Sequence, residues 1–475
     1  MHLDARTLTD NASTEVDVCI VGAGAAGITL AKQLIGSRLQ VLILESGGFE
    51  REEDTQSLYE GSNTGWPYFA PNVSRLRFFG GTTNHWNGWC APLEPSDFEE
   101  RDWIPLSGWP IRYETLEPWY RWAQEICQLG PFEYAPEYWE RQSGLHRLPL
   151  SRNIIATKII QFSPPTRFGQ VYRAAIVKAP NVALWTYANA TDIQSDDVAS
   201  HVTGMEVRTL DKKRFSVRAR RYVLACGGLE NARILMLSNR VSPEGLGNQN
   251  DIVGRYFMEH PHVSTSNLLL SPRTSVEFYM SGNSFLPLVE LAPAAQRHSR
   301  TAGYSAALFP KSLTEGSGNG VLLQLNARLE QVPTPDSRIT LSQEKWDSLG
   351  QPQLEVHWQL TDFDKKSLRS AELTLAREFG RKSLGRLRVP DWIIRDDDSW
   401  PGSNDMYAGP HAMGTTRMSD NPSRGVVDAD CRVHGIDNLF VVGSSVFATA
   451  GTSNPTLTIV ALAARLADYL KRRLG

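Results

Sequence analysis

Residues 16–34 read VDVCIVGAGAAGITLAKQL and residues 41–46 read VLILES, and these two stretches decide the fold. The β-branched run over residues 16–21 predicts a buried strand, and residues 28–34 predict the helix that follows the glycines. Residues 41–44 predict a second strand that ends on an acidic residue. This order of strand, glycine-rich turn, helix and strand is typical of a nucleotide-binding βαβ unit.

The glycines of this unit have the spacing of a dinucleotide-binding turn. Gly22 permits the tight turn, Gly24 lets a pyrophosphate approach the backbone, and Gly27 lets helix and strand pack closely. The helix N-terminus presents free N–H groups and a positive dipole end to the phosphates. Glu45 can accept hydrogen bonds from a ribose and would repel a 2′-phosphate, so NADP is disfavoured. The fingerprint leaves NAD and FAD open.

Composition excludes several classes of protein. The 475 residues suggest two or three domains, and 49 basic against 52 acidic residues give a net charge of −3, which favours neither nucleic acid nor an anionic membrane. The sequence shows neither a signal peptide nor an apolar run of the ~20 residues that a membrane helix needs, so we expect a cytoplasmic protein. The five scattered cysteines predict neither disulfides nor a metal site.

Hydrophobic periodicity divides the chain. Residues 262–407 contain strands with a period of two, which is typical of half-buried antiparallel sheet. We predict an α/β protein in which a Rossmann-like nucleotide-binding domain carries an inserted substrate domain, built on a mainly antiparallel sheet with helices. The nucleotide-binding domain comprises residues 1–112, 150–261 and 408–475, and residues 113–149 form a helical excursion. The last strand and helix are expected to return to the nucleotide-binding sheet.

Several longer stretches resemble the glucose–methanol–choline (GMC) oxidoreductase family. GPHAMGTTRM at residues 409–418 and the segment 426–470 resemble its C-terminal signature, and GGTTNHWNGW at residues 80–89 resembles its flavin-contacting loop. Residues 225–238 and 253–261 are similar to internal blocks, and the segments 330–342 and 356–364 to substrate-domain strands. The sequence of these blocks is most similar to the sugar-oxidising branch of the family, which includes pyranose oxidase.

The resemblance implies that the fingerprint binds FAD and that two polar residues face the flavin. These are His411, in the H-x-M-G-T block, and Asn454, before P-T-L-T. The expected cofactor-binding residues are Gly22, Gly24, Gly27, Glu45, Gly81, Thr82, Asn84, His85, Trp86, Asn87, Ala190, Gly443, Ser444 and Thr456.

Alcohol chemistry assigns different roles to the two polar residues. An alcohol loses a hydride from carbon, which flavin N5 accepts, and a proton from oxygen. A neutral imidazole can accept that proton if both leave nearly together, so His411 is the expected base. Asn454 cannot act as a base, but its amide can hold the hydroxyl by a hydrogen bond, and it also precedes Pro455 as a helix N-cap.

Other residues give weaker predictions. In pyranose oxidase the pair comparable to His85–Trp86 carries a covalent bond from histidine to flavin, whereas many family members have a similar loop without it. We expect non-covalent FAD and leave a covalent link through His85 open. Gln324, Asn326 and Arg328 share one strand face and are candidate substrate residues, although a solvent face is the alternative. His260 and His262 lack i,i+4 spacing and a third ligand, so we expect a structural role.

The predicted function is an FAD-dependent oxidoreductase acting on the secondary alcohol of a sugar, glycoside or polyol, with oxygen or an unknown redox partner as electron acceptor. The alternatives are a GMC-fold enzyme on a non-sugar alcohol such as a natural-product intermediate or sterol, a redox-silent FAD lyase, and an NAD-dependent dehydrogenase. No nucleic-acid or membrane partner is expected, and the oligomeric state stays open.

Overall fold

The computed structural model of the chain describes residues 1–282, 284–311, 321–395, 400 and 405–474. Its strands are β1 (His2–Asp4), β2 (Ser13–Val21), β3 (Val41–Leu44), β4 (Gly61–Asn63), β5 (Trp89–Cys90), β6 (Ile155–Phe162), β7 (Val182–Thr186), β8 (Asn189–Ser195), β9 (Val202–Arg208), β10 (Arg214–Leu224), β11 (Pro261–Val263), β12 (Asn267–Leu270), β13 (Phe285–Leu291), β14 (Tyr304–Pro310), β15 (Leu322–Leu329), β16 (Arg338–Trp346), β17 (Pro352–His357), β18 (Gly385–Arg388), β19 (Met406–Ala408) and β20 (Leu439–Val441).

The helices occur mainly between the strands of the first half and at the C-terminus. They are α1 (Ala25–Leu34), α2 (Glu53–Ser57), α3 (Pro71–Ser74), α4 (Pro95–Phe98), α5 (Tyr113–Ile126), α6 (Pro136–Ser143), α7 (Phe168–Val171), α8 (Arg173–Lys178), α9 (Gly227–Leu237), α10 (Pro293–Ser299), α11 (Asp362–Arg381), α12 (Asp391–Ile394) and α13 (Thr456–Leu474). Short 3₁₀ turns include Gly81–Asn84 and Ser444–Val446.

The first sheet is the predicted nucleotide-binding sheet. Its strand order is β1–β7–β3–β2–β10–β9–β8, and β20 also pairs with β10. The five strands β1, β7, β3, β2 and β10 run parallel to one another, and β20 pairs parallel with β10. Strand β9 pairs antiparallel with both β10 and β8. Because β2 and β3 are almost wholly buried at their carboxyl ends, they read in the sequence as continuous apolar runs.

The two ends of the chain meet in this sheet. Strand β20 pairs with β10 in register Val223↔Phe440, and α13 packs along both α1 and α5. The apolar face of α13, which includes Leu462, Leu466 and Leu470, is fully buried there. The predicted return of the last strand and helix to the nucleotide-binding sheet is therefore correct. The return also brings residues 409–456 next to the glycine turn.

The second sheet is antiparallel throughout. Its order is β18–β12–β15–β14–β13–β6–β5, and β11 joins β15 to β19. Helix α11 packs against it through Leu368, Leu375 and Phe379. The sequence had assigned β5 and β6 to the nucleotide-binding domain, and this is wrong. The residues of β6, IATKIIQF, have the apolar character of a Rossmann strand, and only the partner that returns beside them, β13, determines their sheet.

A third, small sheet separates from the second. Strands β16 and β17 pair antiparallel, and β4, from the first seventy residues, adds to β17 in parallel. The segments that were expected to continue the substrate-domain sheet thus form a sheet of their own with an N-terminal strand. Within the described ranges, no helix combines the length and the apolarity needed to cross a membrane.

Candidate active site

The glycine turn between β2 and α1 has the geometry that its sequence predicts. Gly22 has φ +96°, and a Cβ there would lie 2.9 Å from the carbonyl oxygen of Ala225. A Cβ at Gly27 would lie 1.9 Å from the carbonyl oxygen of Gly22, so this glycine lets helix and turn pack. A Cβ at Gly24 would meet no protein atom within 4 Å, and this residue lines a cavity. The turn therefore leaves its open side free for a ligand.

Glu45, at the end of β3, holds the same turn. Its Oε2 accepts the N–H of Ala23 and its Oε1 accepts the N–H of Gly47, both at 2.9 Å. Burial raises the pKa of this carboxyl group, and the two N–H donors oppose that rise. Since each carboxylate oxygen has a second lone pair, Glu45 can also accept from a ribose hydroxyl.

A cavity of about 470 Å³ connects the glycine turn with residues near the C-terminus. The sequence-predicted residues that line it are Gly22, Gly24, Glu45, Gly81, Thr82, His85, Trp86, Asn87, Ala190, His411, Gly443, Ser444, Asn454 and Thr456. Asn84 does not line it, because the 3₁₀ turn directs its Nδ2 to the carbonyl oxygen of Phe79 at 3.0 Å. Asn84 therefore holds the loop itself.

Arg167 fixes the aromatic loop that carries His85. Its Nη1 donates to the carbonyl oxygens of Thr83 at 3.2 Å and Trp86 at 2.7 Å, and the indole N–H of Trp86 donates to the carbonyl oxygen of Thr166 at 2.8 Å. His85 is exposed to the cavity, and partial burial together with Arg167 lowers its pKa. These contacts make the loop a rigid wall of the cavity.

Two paired strands bring a second histidine to His411. Strand β11 begins directly after His260, β19 ends shortly before His411, and the two strands pair in register Pro261↔Ala408. The Nδ1 atoms of His260 and His411 lie 2.9 Å apart. Asn454, which precedes α13, places its Nδ2 3.2 Å from Nε2 of His411. Three distant segments of the chain thus form one polar cluster, in which His411 and Asn454 line the cavity.

Both histidines of this cluster are neutral near pH 7. Burial lowers the pKa of His411 well below its usual value, and the neighbouring His260, His262 and Arg328 lower it further. Burial likewise lowers the pKa of His260 to about 4. A neutral imidazole is the form that can accept a proton.

Arg328 reaches this cluster from β15. Its Nη1 donates to Oδ1 of Asn454 at 3.0 Å, and its guanidinium carbon lies 4.2 Å from the ring centroid of Trp89. Gln324 and Asn326, its neighbours on the same strand face, instead donate to the backbone oxygen and hydroxyl of Ser264. Of the three candidate substrate residues, Arg328 alone contacts the His411–Asn454 pair, and none lines the cavity directly.

Glu259 supports the backbone at His411. Its Oε2 accepts the backbone N–H of His411 at 2.8 Å, and its Oε1 accepts the hydroxyl of Tyr68 at 2.6 Å. Burial raises the pKa of this carboxyl group to about 7. Glu259 thereby ties the His411 segment to the loop that contains Tyr68 at the cavity wall.

Two family models match separate parts of the chain. The family model described as GMC oxidoreductase matches residues 333–463, and the model described as FAD dependent oxidoreductase matches residues 17–245. Over these segments the chain resembles GMC and FAD-dependent oxidoreductases. The chain is 26% identical over 550 residues to 2-methyl-1,2-propanediol dehydrogenase of Mycolicibacterium austroafricanum, covering 97% of this chain and 96% of that one. It is 25% identical to the fructose dehydrogenase large subunit of Gluconobacter japonicus, covering 97% and 98%.

A solved structure supports the same fold. Pyridoxine 4-oxidase from Mesorbium loti superposes with a TM-score of 0.60 at 18% identity, covering 95% of this chain and 98% of that one. The protein is an FAD-dependent oxidoreductase, and its cavity fits that cofactor. The open side of Gly24, the free acceptor capacity of Glu45 and the N-terminus of α1 suit an ADP moiety. Gly227 has φ +84°, and a Cβ there would meet no atom within 4 Å, so this residue leaves further space at the cavity wall.

Sequence reasoning missed several residues of this site. His260 was expected to be structural, yet it bonds directly to the His411 ring. Arg167 and Arg77 gave no motif signal, although Arg77 donates to the Ser46 hydroxyl beside the turn. Glu259 lies in the block 253–261 that resembles the family, but it was not singled out. A buried polar run, Glu259–His260, inside an otherwise apolar stretch was the available signal.

Proposed function

We propose that this protein is a GMC oxidoreductase that oxidises a CH–OH group of a small polyhydroxylated substrate, such as a sugar, glycoside or polyol, with His411 as the base. The observation that carries the proposal is the pairing of His411 Nε2 with Asn454 Nδ2, 3.2 Å apart, at the cavity wall. One hydroxyl group that takes the place of this hydrogen bond can donate to His411 and accept from Asn454.

The proposed chemistry divides between the protein and its cofactor. When bound, FAD supplies the acceptor for the hydride that leaves the substrate carbon. His411 takes the hydroxyl proton at Nε2, which is available because burial keeps the ring neutral. Asn454 holds the hydroxyl oxygen through Nδ2. The N-terminus of α13, whose residue Thr456 also lines the cavity, contributes a positive dipole end that stabilises negative charge there.

The cavity and the relatives together support a polar substrate. Trp86, Trp89 and Tyr68 offer aromatic faces, while Thr82 and Asn87 offer hydrogen-bonding groups. Aromatic faces combined with a few polar groups suit a sugar ring. The fructose dehydrogenase relative supports the sugar, and the 2-methyl-1,2-propanediol dehydrogenase relative supports a second candidate, a small non-sugar diol.

An anaerobic substrate panel tests the proposal. Sugars, glycosides, short diols and apolar secondary alcohols are mixed with oxidised holoenzyme, and bleaching of the flavin absorbance is followed. Rapid bleaching by sugars or glycosides supports the first candidate, and bleaching by short diols alone supports the second. Turnover of an apolar alcohol alone, or turnover of a substrate without bleaching, would contradict both.

The cofactor linkage and the domain division are parts of the same proposal. FAD is held non-covalently, with His85 in contact with it, so acid precipitation of the protein should release free FAD. Residues 1–112, 150–261 and 408–475 form the FAD-binding domain apart from β4, β5 and β6, residues 113–149 a helical excursion, and residues 262–407 the substrate domain. Oxygen or a redox partner accepts the electrons, which comparison of oxygen with artificial acceptors would distinguish.

A further inference from the structure

The hydrogen bonds around His260 determine which of its nitrogens carries the proton. Its Nε2 lies 3.0 Å from the carbonyl oxygen of Gly451 and 3.2 Å from that of Ala450. Carbonyl oxygens can only accept, so Nε2 of His260 must carry the hydrogen. Since burial keeps this ring neutral, its Nδ1 then has a lone pair and no hydrogen.

The next bond in the cluster follows from this assignment. Nδ1 of His260 lies 2.9 Å from Nδ1 of His411, and two lone pairs at that distance would repel each other. His411 must therefore donate through its Nδ1–H. In a neutral ring, this leaves Nε2 of His411 as the unprotonated nitrogen, which is the one that faces Asn454.

The other end of the cluster agrees independently. Arg328 can only donate, so the Asn454 atom 3.0 Å from its Nη1 must be the amide oxygen. The amide NH₂ group of Asn454 is thereby directed at Nε2 of His411, where it can donate only to a lone pair. Two fixed sets of groups, an arginine and two carbonyl oxygens, thus orient every proton between them in the same direction.

We propose that His260 is a positioning residue that holds His411 in its Nδ1–H tautomer, so that the lone pair of Nε2 faces the bound substrate hydroxyl. This inference rests on the proposed function of His411 as base. When the hydroxyl O–H bond breaks, its proton binds to Nε2 of His411, and the positive ring keeps its Nδ1–H bond to the lone pair of His260. His260 thereby also stabilises the charge that appears on His411.

The first test measures the tautomer directly. The holoenzyme with oxidised FAD is labelled with ¹⁵N-histidine, and long-range proton–nitrogen correlation spectra are recorded near neutral pH. The His411 signals are assigned from a His411→Asn variant. We expect the chemical shift of an unprotonated nitrogen at Nε2 and of a protonated one at Nδ1. The reverse pattern in the wild-type protein would overturn the proposal, whatever the activity of the enzyme.

A matched pair of variants separates positioning from packing. His260→Asn places its amide oxygen near the position of Nδ1 and so retains the acceptor for His411. His260→Gln retains an amide donor that reaches the Ala450 and Gly451 carbonyls but offers no acceptor at the Nδ1 position. We expect His260→Asn to keep the Nδ1–H tautomer and a flavin reduction rate within about tenfold of wild type, and His260→Gln to lose about 10²-fold.

Outcomes of this pair distinguish the inference from the proposed function. Equal losses in both variants with FAD and the His411 tautomer unchanged would contradict positioning by His260. A His411→Ala enzyme that still reduces its flavin at the wild-type rate would refute the proposed role of His411 as base. The tautomer of His411 would still be tested separately by the spectrum of the wild-type protein. If either variant fails to fold, the wild-type spectrum alone decides.

Discussion

His411 and Asn454 lie 43 residues apart in the chain, yet Nε2 of His411 and Nδ2 of Asn454 lie 3.2 Å apart at the cavity wall. Each is held from behind by a different group, His260 for His411 and Arg328 for Asn454. Both side chains are therefore held in place before any substrate arrives, and a bound hydroxyl takes the place of the hydrogen bond between them. Once the substrate is bound, groups held in this way need no further rearrangement during the reaction.

Removing the imidazole is expected to abolish flavin reduction but not FAD binding. His411→Ala deletes the proton acceptor, and general-base catalysis contributes about 10² to 10⁴-fold. The rate of flavin bleaching by substrate in stopped flow measures this loss, and the flavin absorbance of the purified protein measures FAD content. His298→Ala, at an exposed histidine in α10, is the control and should change neither quantity. A His411→Ala enzyme with near wild-type bleaching would refute the assigned role.

Shortening Asn454 is expected to affect both substrate binding and rate. Asn454→Ala removes the donor to the hydroxyl oxygen and leaves Nη1 of buried Arg328 without its amide acceptor. The loss of one hydrogen bond to an uncharged group costs about 1 kcal/mol, and an unsatisfied buried donor costs about 1–3 kcal/mol. We expect kcat/KM to fall about 10 to 10²-fold. Unchanged kcat/KM would show that the amide does not touch the substrate.

Substitutions at two glycines of the turn are expected to change different properties, FAD binding at Gly24 and protein stability at Gly27. Gly24→Val meets no protein atom near its Cβ, so the apoprotein should keep its melting temperature while FAD binding is lost. Gly27→Ala places a methyl group 1.9 Å from the carbonyl oxygen of Gly22, so the protein itself should be destabilised. Thermal unfolding of the apoprotein and FAD titration separate the two effects. Tight FAD binding by Gly24→Val would exclude this turn as the pyrophosphate site.

Glu230 is expected to stabilise the wall of the cavity. Burial alone would raise the pKa of its carboxyl group, but Arg233, Arg77 and Arg75 outweigh burial and lower it to about 2. Glu230→Ala removes the carboxylate that pairs with Arg75 and Arg77, whereas Arg233 keeps its bond to Asp347, and the change should cost about 3–5 kcal/mol in the free energy of unfolding. Glu117→Ala breaks an exposed pair with Arg121 and should cost less than about 1 kcal/mol. Denaturant unfolding measures both, and equal costs would contradict this account.

The pH dependence of Glu230 has a definite sign. Because its pKa is lowered in the folded protein, its contribution to stability is complete above the usual pKa of 4.5 and is lost as the pH falls towards about 2. The difference in unfolding free energy between wild type and Glu230→Ala should therefore shrink as the pH falls below 4.5. A difference that is constant down to low pH would show that the carboxylate does not act through its charge.

The rate of flavin reduction is expected to remain high below the usual pKa of histidine. Since burial lowers the pKa of His411, its ring stays neutral as the pH falls through 6.5, and the acid limb of the rate profile should lie at lower pH. Glu259, with a pKa raised to about 7, bonds to the His411 backbone and could add its own titration. Glu259→Gln removes that titration and serves as the control. An acid limb centred at 6.5 in this variant would contradict a buried, neutral His411.

Much of the nucleotide-binding half could be predicted because its signals are local. Gly22 and Gly27 are required by one tight turn and one close contact within a dozen residues, and Glu45 follows the strand that β2 pairs with. The role of β6 could not be predicted in this way. Its residues suit either sheet, and its pairing with β13 depends on a segment more than a hundred residues later.

The sequence by itself determined the dinucleotide-binding turn, the presence of a nucleotide-binding sheet and of a separate antiparallel sheet, and the candidates His411 and Asn454. Short-range backbone geometry and recognisable motifs carry that information. Only the tertiary structure decided that Asn84 bonds to its own loop, that Arg328 alone among its neighbours reaches Asn454, and that His260 bonds to His411. The physical reason is that a hydrogen bond depends on positions to within a fraction of an ångström. Such positions result from the packing of β11, β15, β19 and α13, which no local pattern encodes.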